Sequence, residues 1–128
     1  MLRNDDQWFV QECNEKLKLE EFINSCIEHF EVIEEKIGIS LQNMSASITD
    51  DNSIKLYCEV LPLTESGPAC SFAIETAVYN KSNKVIGFSN IRREKSDFLG
   101  FEIFSFGNVG LSANVDEIGK IVFYPTKI

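Results

Sequence analysis

Few side chains in this chain could carry chemistry, and they are scattered. There is one histidine, His29, and there are four cysteines, Cys13, Cys26, Cys58 and Cys70. Cys26 and His29 are three residues apart, so on a helix they could touch, and a thiolate beside an imidazole would be a nucleophile. Cys26, however, falls in an apolar seam and His29 at its polar edge. A buried thiol and a solvated imidazole are therefore expected. With a single imidazole, Ser-His catalysis has one possible base and no positional support. Zinc sites that need two or three imidazoles cannot assemble within one chain. The cysteines contain no C-x-x-C, and their spacings of 13, 32 and 12 lack close pairs. They read as reduced, small hydrophobes. Gly107-Asn108-Val109-Gly110 lacks the Lys-Ser/Thr of a P-loop, and no calcium-loop pattern of alternating aspartates occurs. No cofactor, no metal and no catalysis are expected.

Charge is more informative. The 128 residues carry 20 acidic and 12 basic side chains, a net of −8. Residues 1–37 hold ten acidic and four basic side chains, a net of −6, and residues 38–128 hold ten and eight, a net of −2. A general nucleic-acid binder is excluded, because affinity for phosphate backbones comes from Lys and Arg. Glu28, Glu31, Glu34 and Glu35 form a carboxylate cluster. Paired acids can do glycosidase work only in a cleft; on a helix exterior they are a solvated face that could meet a basic partner. Ile91-Arg92-Arg93-Glu94-Lys95 is a small basic spot interrupted by Glu94 and reads as solvated.

These residues must be positioned by two kinds of element. Before Gly38 there is no glycine or proline, and the apolar period is helical. Asn4 could cap a first helix with Gln7 at the capping-box position, and Trp8, Phe9, Cys13 and Leu17 form its apolar side. Leu19, Ile23, Cys26, Phe30, Ile33 and Ile37 recur at spacings of 4, 3, 4, 3 and 4, which predicts a second helix over 19–37 ended by Gly38. The two apolar directions differ by roughly 100°, so a kink or break is expected near Leu17–Leu19. The 19–37 seam could also pair with a second copy or a partner helix, although it spans under three heptads.

From residue 39 the period becomes two. Strands are expected around Met44–Ile48, Ile54–Val60, Cys70–Val78, Ile86–Ile91, 97–106 and Ile121–Tyr124, the last stopped by Pro125. A hairpin centred on Thr64 would set Cys58 opposite Cys70, Leu56 opposite Phe72 and Ile54 opposite Ile74, all on one face. The stretch 97–106 is apolar on both sides, with Leu99, Phe101 and Ile103 on one and Phe98, Phe104 and Phe106 on the other. Such a strand needs cover on both faces, and the 19–37 helix is the expected lid. A pocket lined by Phe22, Phe30, Phe98, Phe104 and Phe106 is the alternative use of that interface.

The run Thr76-Ala77-Val78-Tyr79-Asn80-Lys81-Ser82-Asn83-Lys84-Val85-Ile86-Gly87 resembles the signature of FxLYD-type β-sandwich domains, in which an apolar-Tyr strand turns over a polar loop into a Lys-Val-Val-Gly-like strand. Phe101-Glu102-Ile103-Phe104 and Lys120-Ile121-Val122-Phe123-Tyr124 are similar to that family's closing strands, so the likeness spans roughly residues 54–124. It implies an immunoglobulin-like sandwich without catalytic residues.

The expectation is therefore an α+β chain, one domain over 1–128. Its helical segment, 1–38, packs on an antiparallel, immunoglobulin-like β-sandwich of about six strands formed by 39–128. No membrane span is long enough, and the start has no apolar stretch behind a basic residue, which suggests a cytoplasmic protein. The expected role is a non-catalytic protein-binding module, an acidic inhibitor or immunity-type protein that neutralises a basic partner through Glu28, Glu31, Glu34 and Glu35. Small-molecule binding between helix and sheet, or homo-oligomerisation through the helix seam, are the alternatives.

Overall fold

A computed structural model describes residues 4–128, with side chains from Glu12 onward. Helix α1 spans Asn4–Ser25, strand β1 Ile27–His29 and helix α2 Glu31–Ile37. Strands β2 (Ile39–Ile48), β3 (Ser53–Pro62), β4 (Phe72–Asn80), β5 (Val85–Arg93), β6 (Glu102–Gly110) and β7 (Ile118–Lys127) follow. Among the described residues this is a mixed α+β chain with two sheets, ordered β1-β7-β4-β5 and β2-β3-β6. All neighbours are antiparallel except β1 and β7, which run parallel. No described helix is long and apolar enough to cross a membrane. The expected cap at Asn4 and the apolar Trp8 and Phe9 concern side chains outside the described ones.

The helical third departs from its periodicity. Helix α1 continues through Leu17–Leu19 without a break and ends at Ser25. There the Ser25 hydroxyl donates to Phe22 O at 2.5 Å and Cys26 N–H to Ile23 O at 3.0 Å. Ile27, Glu28 and His29 then pair with Ile121, Val122 and Phe123. Continuing the helix would have left that edge of β7 bare; the β-branched Ile27 takes the strand instead. Gly38 does end α2: at φ 88° its N–H donates to Glu34 O and Glu35 O.

The helices are not a lid on the phenylalanine-rich ribbon. They lie against β2 and β7, and α1 closes the outer edge of β2 with side chains. Asn24 Oδ1 accepts from Ala46 N–H and its Nδ2 donates to Ala46 O, both at 2.9 Å. One turn earlier, Glu20 Oε1 accepts from Ile48 N–H at 2.8 Å. Asn24 thus imitates a strand residue, satisfying backbone groups an edge strand would otherwise leave open. Ile23, between these two residues, is fully buried.

The alternation foretold which residues face inward but not their partners. Ile54, Leu56, Cys58, Phe72 and Ile74 are all buried, yet β3 and β4 belong to different sheets. No hairpin joins them. Residues 63–71 carry the chain across and are pinned below α2, where Ala69 N–H donates to Ile37 O and Leu63 N–H to Gly38 O. Cys58 and Cys70 are therefore not cross-strand neighbours, and all four cysteines are free. The strand expected at 97–106 begins only at Glu102, after a 3-10 turn at Lys95–Asp97. Its inner residues Phe104 and Phe106 meet Phe72 and Phe123 of the other sheet, with ring centroids 6.3 and 5.8 Å apart. Its outer residues Leu99, Phe101 and Ile103 stay exposed. Strand β7 also passes Pro125, which lies beyond the three-residue β1, where β7 has no second partner needing an N–H.

Replacing Asn24 by Ala should leave both Ala46 backbone groups without partners and lower unfolding stability by about 2 kcal/mol. Urea denaturation measures the loss, and faster amide exchange at Ala46 locates it. Unchanged exchange there would show that α1 does not seal the edge.

Candidate functional site

Strand β1, helix α2 and strand β2 converge on His29 and Glu34. Glu34 shares the face of α2 that carries Ile37, so folding that face inward carries a carboxylate with it. Only 2% of Glu34 is exposed. Its Oε1 accepts from Leu41 N–H at 2.9 Å and its Oε2 from His29 Nδ1 at 2.7 Å. Both oxygens are thus engaged, which is how a buried carboxylate is tolerated. Leu41 lies on the β2 edge that Glu20 and Asn24 also serve, so Glu34 is the third side chain closing that edge. The imidazole is in turn held by a ring nitrogen, half-buried at the end of β1.

Of the four carboxylates assigned to a solvated acidic face, Glu34 is therefore corrected: it points inward and holds backbone. Glu28, on β1, and Glu31 and Glu35, on α2, are exposed. The signal for Glu34 was present in its position three residues before Ile37, one turn away on the same side of α2.

Beside the pair lies a cleft of about 520 Å³ between α2 and β2. Its wall includes His29, Glu31, Glu34, Glu35, Gln42 and Leu63, with no lysine or arginine in the lining. A bulge between Gln42 and Ser45, with Asn43 at φ 48°, interrupts β2 here, and Asn43 and Met44 belong to the lining. Asn43 also donates to Glu59 Oε2 on β3, which ties that carboxylate down. The chemistry available is electrostatic: two exposed carboxylates, and a buried one paired with His29, around a recess without lysine or arginine. Among the described residues His29 makes no hydrogen bond to a serine, threonine or cysteine, and no group of His, Cys, Asp and Glu has the arrangement to hold a metal ion.

The other expected pocket does not form. Phe98, Phe104 and Phe106 are closed into the core, whereas Phe22 and Phe30 are exposed, Phe22 lying under the Lys81 ammonium. The helix seam is likewise divided: Ile23 and Ile37 are buried within this chain and Ile33 is exposed. Cys58 sits among the core residues, where burial, and then the charge of Glu34, push its thiol up to about 12. Comparison of the chain with family models, with curated proteins and with solved structures finds no match.

Two outcomes are expected. Glu34→Ala leaves the buried Leu41 N–H unsatisfied and should cost about 2–3 kcal/mol in a denaturant titration, whereas Glu35→Ala should change stability by under about 0.5 kcal/mol. In thiol labelling near pH 8 the exposed Cys13 should react at once, and Cys58 only as the protein unfolds, because the thiolate is the reactive form.

Proposed function

We propose that this chain is a non-catalytic protein-binding module that receives a basic segment of a partner protein at the cleft beside α2. The observation that carries this reading is the cleft itself, lined by three carboxylates and lacking any lysine or arginine. Glu31 and Glu35 on its wall and Glu28 on β1 are free to meet guanidinium or ammonium groups in solvent. Glu34 sets the negative background from inside. The net charge of −8 adds a field that draws basic partners and speeds encounter. An inhibitor that covers a basic surface needs these features and no catalytic group.

The scaffold in this reading is an immunoglobulin-like sandwich. The orders β2-β3-β6 and β7-β4-β5, with a crossing between the sheets after β3, support it. So do the ring contacts that join the two sheets. The short β1 adds a parallel strand beside β7.

The test uses a lysine- and arginine-rich peptide as probe, titrated into the isotopically labelled protein. Amide shifts should concentrate at Glu31, Glu35, Gln42 and Leu63, and the dissociation constant should rise at least about tenfold between about 50 and about 500 mM salt. Glu31→Gln with Glu35→Gln should weaken binding by a similar factor. Shifts spread evenly over the acidic surface, or affinity indifferent to the double substitution, would remove the cleft as the binding site.

A further inference from the structure

The outward face of the sheet β2-β3-β6 leads from the cleft onto apolar ground. Its register sets Gln42, Glu59 and Ile103 side by side across the three strands, and Ser40 beside Leu61 in the next row. Phe101 precedes Glu102, the partner of Val60, and so comes next to Leu61. Both rows alternate with the buried Leu41, Val60 and Phe104, which turns them to solvent. Ser40 and Gln42 already belong to the cleft lining, and so does Leu63, exposed just past the end of β3. At the far end of the rows Leu99 is 95%, Phe101 57% and Ile103 61% exposed. Phe101 and Ile103 project from the sheet face, because the edge of β6 is taken by β5. There Arg93 Nε donates to Glu102 Oε2 at 2.7 Å, and Gly87 lies against Val109 and Gly110.

We propose that the partner segment received at the cleft is basic at one end and apolar at the other, and that its apolar end runs over Leu63 and Leu61 to Phe101 and Ile103. The proposal rests on the reading of the cleft given above and names the partner's chemistry. Charge complementarity selects this occupant. The two rows and Leu63 hold one charged side chain, Glu59, and Asn43 engages it. A segment leaving the acidic wall meets no cation along them that would repel its basic end. A second copy fits less well, since it would bring its own net of −8 and its own acidic wall. Continuity and size agree with this choice. Gln42 and Ile103 are two strand spacings apart, about 10 Å, which an extended chain covers in about three residues. Leu99, Phe101 and Ile103 expose roughly 400 Å², the size of patch that marks an interaction site on a monomer.

Two kinds of probe are titrated into the full chain. One is the lysine- and arginine-rich peptide; the other is the same peptide joined by a short Gly-Ser spacer to Leu-Phe-Leu, made with the apolar block at either end. The better extended peptide should bind at least about tenfold tighter than the basic one, and this gain should persist at about 500 mM salt, where the basic peptide has weakened. Phe101→Ser with Ile103→Ser should abolish the gain, whereas Phe88→Ser, on the outer face of the other sheet, should retain it. All three positions are exposed, and an unchanged thermal midpoint verifies that the variants fold. If the basic peptide binds and neither extension tightens it, or the gain survives the serine pair, this inference falls and the cleft reading stands. If no peptide binds, the cleft reading falls and takes this one with it. An extended peptide indifferent to Glu31→Gln with Glu35→Gln would show an apolar contact unconnected with the cleft, which also overturns the proposal. So would a dimer in sedimentation velocity that Ile103→Ser dissolves, since the strip would then belong to a second copy.

Discussion

The closure of the β2 edge by side chains is the constraint on which the rest of this structure depends. A three-stranded sheet has two edges, and the backbone groups along each must find partners or water. At β2 the partners are a carboxylate, an amide and a second carboxylate, contributed by Glu20, Asn24 and Glu34. Glu20 and Asn24 are one helical turn apart and reach Ile48 and Ala46, so α1 must lie along the strand. Glu34 reaches Leu41 at the other end and sets α2. The linker between the two helices passes beside β7, where it becomes β1. Backbone N–H groups need acceptors, so two of the ten acidic residues in the N-terminal third are employed in holding the fold. Glu12, Glu15, Glu21, Glu28, Glu31 and Glu35 are exposed and contribute to the field.

The acidic cleft is a consequence of the same arrangement. Burying Glu34 leaves Glu35, about 100° further round the helix, at the rim, and Glu31, one turn earlier at the first residue of α2, is exposed beside it. The β2 bulge at Gln42–Ser45 contributes Asn43 and Met44 to the lining of the recess. One carboxylate is thereby removed from the surface patch and made part of its floor, where its charge adds to the larger effect of burial in pushing the Cys58 thiol up.

Much of the strand content was legible, and the pairing was not. Alternation at Ile54, Leu56 and Cys58, and at Phe72 and Ile74, marks an inward face in any register, since facing depends on the single strand. Partner choice depends on the connection, and residues 63–71 can serve a wide hairpin or a crossing between sheets. Local pattern cannot separate these. The break at Cys26 was hidden because no glycine or proline marks it; β7 supplies the competing partner from almost a hundred residues away. Pro125 misled for the converse reason: its missing N–H matters only opposite a strand, and β1 has already ended. The ribbon's two apolar faces were read as two demands for cover, whereas only the inner face is covered within the chain. That is why Leu99 and Phe101 remain bare. At the cleft, the acidic residues were visible as a cluster, while the inward turn of Glu34 needed its place one turn before Ile37 to be weighed against its charge.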